Sequence, residues 1–253
     1  MAARKRQNKR QQFKVAEYAL VTGGSQGIGL AICRRLKTDG HTPIIFDRVA
    51  PEDPNIGEFC QVDLSDLDAT KKALDWALAL GSISRLVNNV GVVMPALLED
   101  TRLEDFDKLM ALNLRCAIQC TQALAPGMRE RQMGRIVNIS SRAALGKVLR
   151  TNYSASKAGL IGVTRTWALE MAPDGITVNC IGPGPVATEL YKKANPADDP
   201  RTIASLSTIP AGRVGNPEDI AQTAAFFLHE DSGFVTGQML YVCGGSSISR
   251  AGV

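Results

Sequence analysis

Short apolar runs punctuate the chain at Tyr18–Val21, Pro43–Phe46, Phe59–Val62, Arg85–Asn88, Arg135–Ile139, Ile176–Ile181 and Met239–Val242, and longer stretches of helical pattern fill the intervals. This alternation predicts an α/β protein with a parallel sheet covered by helices on both faces. Right-handed crossovers make such a sheet doubly wound, with ligands received at the carboxyl ends of its strands. Helical pattern runs from about Leu103 to Met128 and again from Asn152 to Met171. Leu109, Leu112, Ala117, Leu160, Val163 and Trp167 lie on these segments, and periodicity leaves them open between core and subunit interface.

Composition fits that outline, since 253 residues at 45% apolar content can bury a full core as one domain. No apolar run approaches a membrane span, and the basic N-terminal stretch has no apolar signal segment behind it, so a cytoplasmic protein is expected. Arg4, Lys5, Arg6, Lys9, Arg10 and Lys14 all precede the first acid, Glu17, so the net charge of +4 conceals a slightly acidic remainder. Residues 1–14 read as a solvated, poorly ordered extension, and they lack the interleaved aromatics expected of a nucleic-acid contact. The six cysteines, Cys33, Cys60, Cys116, Cys120, Cys180 and Cys243, form no Cys-x-x-Cys pair and are expected to be reduced. Cys116 and Cys120 share a helix face, which suits packing. With only His41 and His229, neither in a ligand-spaced cluster, no metal site is expected.

Candidate chemistry begins at Thr22-Gly-Gly-Ser-Gln-Gly-Ile-Gly29, directly after the first apolar run. It reads as strand, tight turn and helix, although its Gly-x-x-x-Gly-x-Gly spacing departs from the commonest dinucleotide fingerprint. Gly23 can take backbone angles closed to other residues, Gly27 leaves room for a pyrophosphate, and Gly29 lets the helix pack closely. Free amides at the helix start then face the phosphates. The second apolar run leads into Asp47, 24 positions after Gly23, a carboxylate suited to ribose hydroxyls and repellent to a phosphate on that ribose. Arg48 follows, free either to meet such a phosphate or to face solvent. Tyr153 and Lys157, four residues apart, project from one helix face. A neighbouring ammonium favours phenolate, which makes this tyrosine a candidate acid/base.

In order and spacing, Thr22–Gly29, Asn88-Asn-Val-Gly91, Asn113, Ser140, Tyr153-Ser-Ala-Ser-Lys157 and Pro183-Gly-Pro-Val-Ala-Thr188 resemble an ordinary short-chain dehydrogenase/reductase over about residues 16–247. Val90 stands where that family usually has alanine. The resemblance implies a single Rossmann-type domain over residues 15–253, with a substrate lid around 188–207 that includes Tyr191, Lys192, Lys193, Pro196 and Pro200. It implies that Ser140 holds the substrate oxygen, with Ser141 the near competitor set aside because Ser140 lies 13 residues before Tyr153. Tyr153 then exchanges the proton, and Lys157 both lowers the phenol pKa and binds the nicotinamide ribose. Asn113 supports a water-linked proton path; on sequence grounds its alternative is a local backbone hydrogen bond.

The implied cofactor contacts are Gly23, Ser25, Gln26, Gly27, Ile28 and Gly29 at the turn, Asp47 and Arg48 at the ribose, and Asp63 and Leu64 near the adenine. Asn89, Val90 and Gly91 follow along the adenosine side. Pro183, Gly184, Val186 and Thr188 lie toward the nicotinamide, with Tyr153 and Lys157. Asp63 and Thr188 would serve equally as helix caps. NAD is favoured over NADP because of Asp47 and because Gln26 stands where NADP-preferring relatives often carry a base.

The reaction implied is reversible hydride transfer between nicotinamide and a secondary alcohol or ketone, with Tyr153 as acid/base. The motifs also resemble 3-oxoacyl-acyl-carrier-protein reductases, including Gly159–Gly162 and Ile209–Arg213. Arg129 and Arg131 are candidates to dock an acidic carrier, but Asp174 occupies a turn where those enzymes tend to carry a base, and their usual NADP preference conflicts with Asp47. A non-catalytic nucleotide-sensing or nucleic-acid-contacting protein is a third reading, opposed by four proton-handling positions occurring together. A homotetramer or dimer is implied, and Arg142, Lys147 and Arg150 near the active-site turn offer positive charge to an anionic substrate.

Overall fold

The computed structural model describes residues 17–194, 198, 202 and 206–248. The basic extension and the middle of the expected lid lie outside the described residues. Seven strands form the sheet: β1 Tyr18–Thr22, β2 Thr42–Asp47, β3 Glu58–Gln61, β4 Ile83–Asn88, β5 Gly134–Ile139, β6 Ile176–Pro183 and β7 Met239–Val242. They lie in the order β3-β2-β1-β4-β5-β6-β7, and every pair is parallel. Each apolar run of the sequence coincides with or overlaps one of these strands.

Strand side chains alternate between two cores, as a pleated strand requires. Ile44 and Phe46 enter one core and Ile45 the other. The first core is closed by α2 (Leu67–Leu80), α4 (Cys116–Glu130) and α5 (Thr151–Met171), through residues such as Leu74, Leu124 and Ala168. The second is closed by α1 (Gly27–Thr38) and α7 (Pro217–Leu228), through Ile32, Leu36, Ile220 and Phe227. The chain leaving β1 therefore turns to one face and the chain leaving β4 to the other. Their divergence opens a crevice at the carboxyl ends, where a doubly wound sheet receives its ligand. Two shorter helices complete the labelled set, α3 (Leu103–Met110) and α6 (Glu189–Ala194). No described helix is long and apolar enough to cross a membrane.

Local signals account for the helix starts. Asp66 caps α2 by accepting from the Ala69 amide at 2.9 Å. Asn216 and Asp219 form a capping box on α7, with Pro217 at its first position. The other end of α7 is held by two arginines facing each other across β4 and β5. Arg85 Nε donates to Leu228 O at 3.0 Å, Arg135 Nε to His229 O at 3.1 Å, and Arg135 Nη2 to Glu230 O at 2.8 Å. These carbonyls have no partner within the helix, and its dipole favours cations there. Arg135 also donates from Nη1 to Gly134 O and Gly175 O. Arg135→Met is expected to lower the unfolding free energy by about 3 kcal/mol, read by denaturant melts, because four carbonyls, most of them part-buried at the bond, lose one charged donor. A loss below about 1 kcal/mol would show that solvent replaces those bonds.

Candidate active site

A chain of buried amides and hydroxyls sets α5 against the strand ends. Asn88 Nδ2 donates to Asn138 Oδ1 at 2.8 Å, and Asn138 Nδ2 donates to Thr164 Oγ1 at 2.8 Å. Two turns earlier on α5, Lys157 is 2% exposed and its Nζ donates to Ile139 O, the last residue of β5, at 2.8 Å. The same Nζ lies 5.8 Å from the centre of the Tyr153 ring. The predicted shared face of Tyr153 and Lys157 is thus present and turned toward the crevice end of the sheet.

The electrostatics differ from the sequence expectation. Burial pushes the Tyr153 phenol above its ordinary value, with the neighbouring Ser141 hydroxyl and the charge of Arg150 acting in the opposite direction. Burial also lowers the Lys157 ammonium to about 8, partly opposed by Cys180. Lys157 therefore does not make the phenol acidic in the chain alone. Its ammonium is itself desolvated and directed to a carbonyl, so desolvation of the phenol prevails.

Ser140 is displaced from its expected place. It is 3% exposed, and its Oγ donates to Lys157 O at 2.7 Å, so it fastens strand to helix. Alternation explains this: Ser140 shares a side with Asn138, whose amide already points to Thr164 on α5. Ser141, one residue on, turns the other way, lies beside the Tyr153 phenol and caps a short 3-10 turn, Arg142–Leu145, through the Ala143 amide at 3.1 Å. The 13-residue spacing singled out the hydroxyl that is bonded to α5, whereas the strand's in-and-out period sets Ser141 beside the phenol.

Asn113 departs from its alternative reading, a local backbone hydrogen bond. The Leu103–Met128 pattern is interrupted by a π-helical turn at Ala111–Arg115, between α3 and α4. Asn113 sits in it and makes no local backbone bond. Its Oδ1 accepts from the Val92 amide at 2.9 Å, and its Nδ2 donates to Val92 O at 3.0 Å and to Ser156 Oγ at 3.2 Å. Ser156 Oγ donates in turn to Tyr153 O at 2.9 Å, so the π turn is tied to the first turns of α5. Gly91 completes this wall: a Cβ there would lie 3.1 Å from Lys157 Nζ and 3.3 Å from Asn113 Oδ1.

At the glycine turn the three expected roles separate. Gly23 has φ +66° and Gly27 φ +55°. A Cβ on Gly29 would come within 2.0 Å of Gly23 O, so only glycine lets α1 begin here. Thr22 Oγ1 accepts from the Asn89 and Val90 amides at 3.0 and 3.1 Å, and Asn89 Nδ2 donates to Thr22 O and Gly23 O, both at 3.0 Å. Asn89 thus braces the turn from β4. Asp47 Oδ2 accepts from the Ser25 amide at 3.1 Å and its Oδ1 from the Arg48 amide at 2.7 Å, while the Arg48 side chain is exposed. The turn fits a dinucleotide: α1 starts at Gly27 and Ile28 after Gln26 with no side-chain cap and no acid in its first turn, and Ser25 Oγ is buried with no hydrogen-bond partner among the described residues.

The remaining expected contacts are mixed. Asp63 caps no helix; it accepts from the Ser65 amide and hydroxyl, which hold its carboxyl below the usual range. Leu64 is buried in the core. Thr188 does cap, accepting from the Tyr191 amide at 3.1 Å at the start of α6. It also borders the glycine turn, since its Cγ2 would lie 3.2 Å from a Cβ on Gly27. Pro183 ends β6, the Gly184 amide donates to Val242 O at 2.9 Å, and Val186 bridges to Gly215. This segment therefore runs across the crevice from the turn. Leu109, Ala117 and Leu160 are buried within the chain, whereas Leu112, Val163 and Trp167 keep partial exposure. All six cysteines are free, with Cys116 and Cys120 packed in the first core.

The profile of the family described as Enoyl-(Acyl carrier protein) reductase matches residues 23–247. The hydroxy(phenyl)methyl-succinyl-CoA dehydrogenase subunit BbsD of Thauera aromatica is 39% identical over 248 residues, covering 91% of this chain and 96% of its own. The 3-oxoacyl-(acyl-carrier-protein) reductase FabG of Thermotoga maritima is 36% identical over 238 residues, covering 89% and 96%. Among solved structures, one from Beutenbergia cavernae, described as an NAD(P) dependent gluconate 5-dehydrogenase with NADP bound at low occupancy, has a TM-score of 0.84 and 31% identity, covering 92% of this chain and 97% of that one. With matches of this extent on the geometry above, the chain belongs to the short-chain dehydrogenase/reductase family, oxidoreductases acting on CH–OH groups with NAD or NADP.

Proposed function

We propose that this chain interconverts a small secondary alcohol and its ketone, with NAD preferred over NADP and Tyr153 as the proton donor and acceptor. The reading is carried by one arrangement: a partly buried phenol beside the Ser141 hydroxyl, with the Lys157 ammonium 5.8 Å from its ring. When bound, the nicotinamide supplies or takes the hydride. In reduction, Tyr153 Oη gives its proton to the substrate oxygen as negative charge builds there, and burial keeps that proton in place at neutral pH. In oxidation the same oxygen must first lose its proton before it can take one from the carbinol. Ser141 is assigned to the substrate oxygen, because the Ser140 hydroxyl is committed to Lys157 O. Asn113 is assigned a positioning role, holding Val92 and Ser156 around Lys157.

Preference for NAD rests on Asp47, whose carboxylate is held at the tip of β2 by two amides and would oppose a phosphate on the adenosine ribose. Oxidation of a secondary-alcohol panel with each cofactor, followed by nicotinamide absorbance, tests the reading; no oxidation with either would overturn it. In the same assay Asp47→Ala is expected to lower kcat/KM with NAD about ten-fold and bring the two cofactors together. Unchanged discrimination would remove the ribose contact. A carrier-protein substrate is the weaker reading, because Arg129 is paired with Asp174 at 3.0 Å and Arg131 Nη2 donates to Ile83 O at 3.0 Å.

A further inference from the structure

Ser141 and Tyr153 stand at the two ends of one loop, and that loop carries Arg142, Lys147 and Arg150. Arg142 directly follows Ser141 and opens the 3-10 turn. Arg150 directly precedes α5 and is joined to Ala96 by a parallel bridge, with the Ala96 amide donating to Leu149 O at 3.3 Å. The loop is thus fastened to the segment after β4 rather than hanging free. Its fastening requires Leu149 to adopt φ +63°, a left-handed conformation uncommon for a leucine.

The three cations share one neighbourhood. Lys147 is lowered from its usual value by desolvation and then by the positive charges of Arg150 and Arg142, and Arg150 also acts on the Tyr153 phenol. Among the described residues none of the three pairs with a carboxylate. Several surface cations elsewhere do: Arg35 with Asp39, Lys71 with Asp75, Arg129 with Asp174, and Arg213 with Asp219. Mutual repulsion raises the energy of such a cluster unless an anion visits it. Around it, Leu145, Val148 and Leu149 on the loop, and Leu97 and Leu98 near the bridge, are exposed.

We infer that this loop is an anion-receiving subsite, so that the substrate is a hydroxy or oxo compound bearing a carboxylate or phosphate joined to its reacting carbon by a hydrocarbon stretch. The inference rests on the oxidoreductase reading for the identity of the reacting end. The loop geometry supplies the rest: cations to hold the anion, exposed aliphatic side chains to cover the stretch, and the two hydroxyls to receive the oxygen.

Binding measured by calorimetry separates this inference from turnover. Hexanoate is expected to bind about five-fold more tightly than hexanamide at low salt, with the gap closing at high ionic strength. Lys147→Met and Arg142→Met should each reduce the gap by about three-fold, and Lys147→Arg should retain it. Coenzyme A is the second probe: tighter binding of it than of hexanoate, lost in the same variants, assigns the anion to a phosphate, and the reverse order assigns it to a carboxylate. Equal affinity for hexanoate and hexanamide, with no salt-sensitive binding of coenzyme A, would overturn the subsite. Turnover of neutral ketones reports separately on the oxidoreductase reading.

Discussion

Tyr153→Phe is expected to lower kcat by about a thousand-fold while NAD affinity, read by fluorescence titration, stays within about two-fold of the wild type. The substitution removes one oxygen and leaves the ring, so packing of α5 is kept and only the proton path is lost. Unchanged turnover would end the acid/base assignment. The two serines make a companion test of the geometry. Ser141→Ala is expected to lower kcat about a hundred-fold, because the hydroxyl beside the phenol is gone. Ser140→Ala removes a bond to Lys157 O, at a cost of about 1 kcal/mol in stability, with turnover near wild type. If the Ser140 variant loses turnover and the Ser141 variant keeps it, the assignment reverses.

Lys157→Met is expected to lower kcat/KM by about two to three orders of magnitude and to weaken NAD binding, if its ammonium serves both proton chemistry and the ribose as the proposed function requires. Its pH signature is the sharper test. Reduction needs the phenol protonated and the lysine charged. The phenol is held above its usual value and Lys157 lies at about 8, so wild-type kcat/KM for ketone reduction should be level up to about pH 8 and fall above it. In the Met variant that limb disappears, leaving a low, level profile. Folding gives an independent readout of the same group. Its pKa is lowered on folding, so the unfolded chain binds more protons between about pH 8 and the ordinary lysine value of 10.5, and wild-type stability should rise across that window. Thermal melts of the Met variant should lack the rise; a rise of equal size in both would place the titration elsewhere.

Strands and the glycine turn were legible in the sequence because each obeys a local rule. Apolar runs bounded by polar residues mark the strands, Gly29 occupies a position where sterics leave no alternative, and Gly23 and Gly27 take left-handed angles that favour glycine. The site was harder to read where a side chain's role depends on its direction at an element's end. Ser140 and Ser141 are chemically equal in sequence, and only the alternation inherited from Asn138 assigns one to the helix and the other to the phenol. Asn113 left a local backbone hydrogen bond open in sequence because its partners, Val92 and Ser156, are 21 and 43 positions away. The π turn that turns it toward them is a tertiary outcome with no periodic signature. The Tyr153 expectation erred in direction: a cation four residues away can be seen in sequence, but the burial that raises the phenol cannot.

Arg85 and Arg135 lie near the starts of β4 and β5, at the opposite end of the sheet from Tyr153. The framework is therefore riveted at its floor by charge, whereas selectivity is left to loops at its roof. New specificities can arise by exchanging roof segments such as Arg142–Arg150, and melting behaviour, fixed below, is largely spared by that exchange.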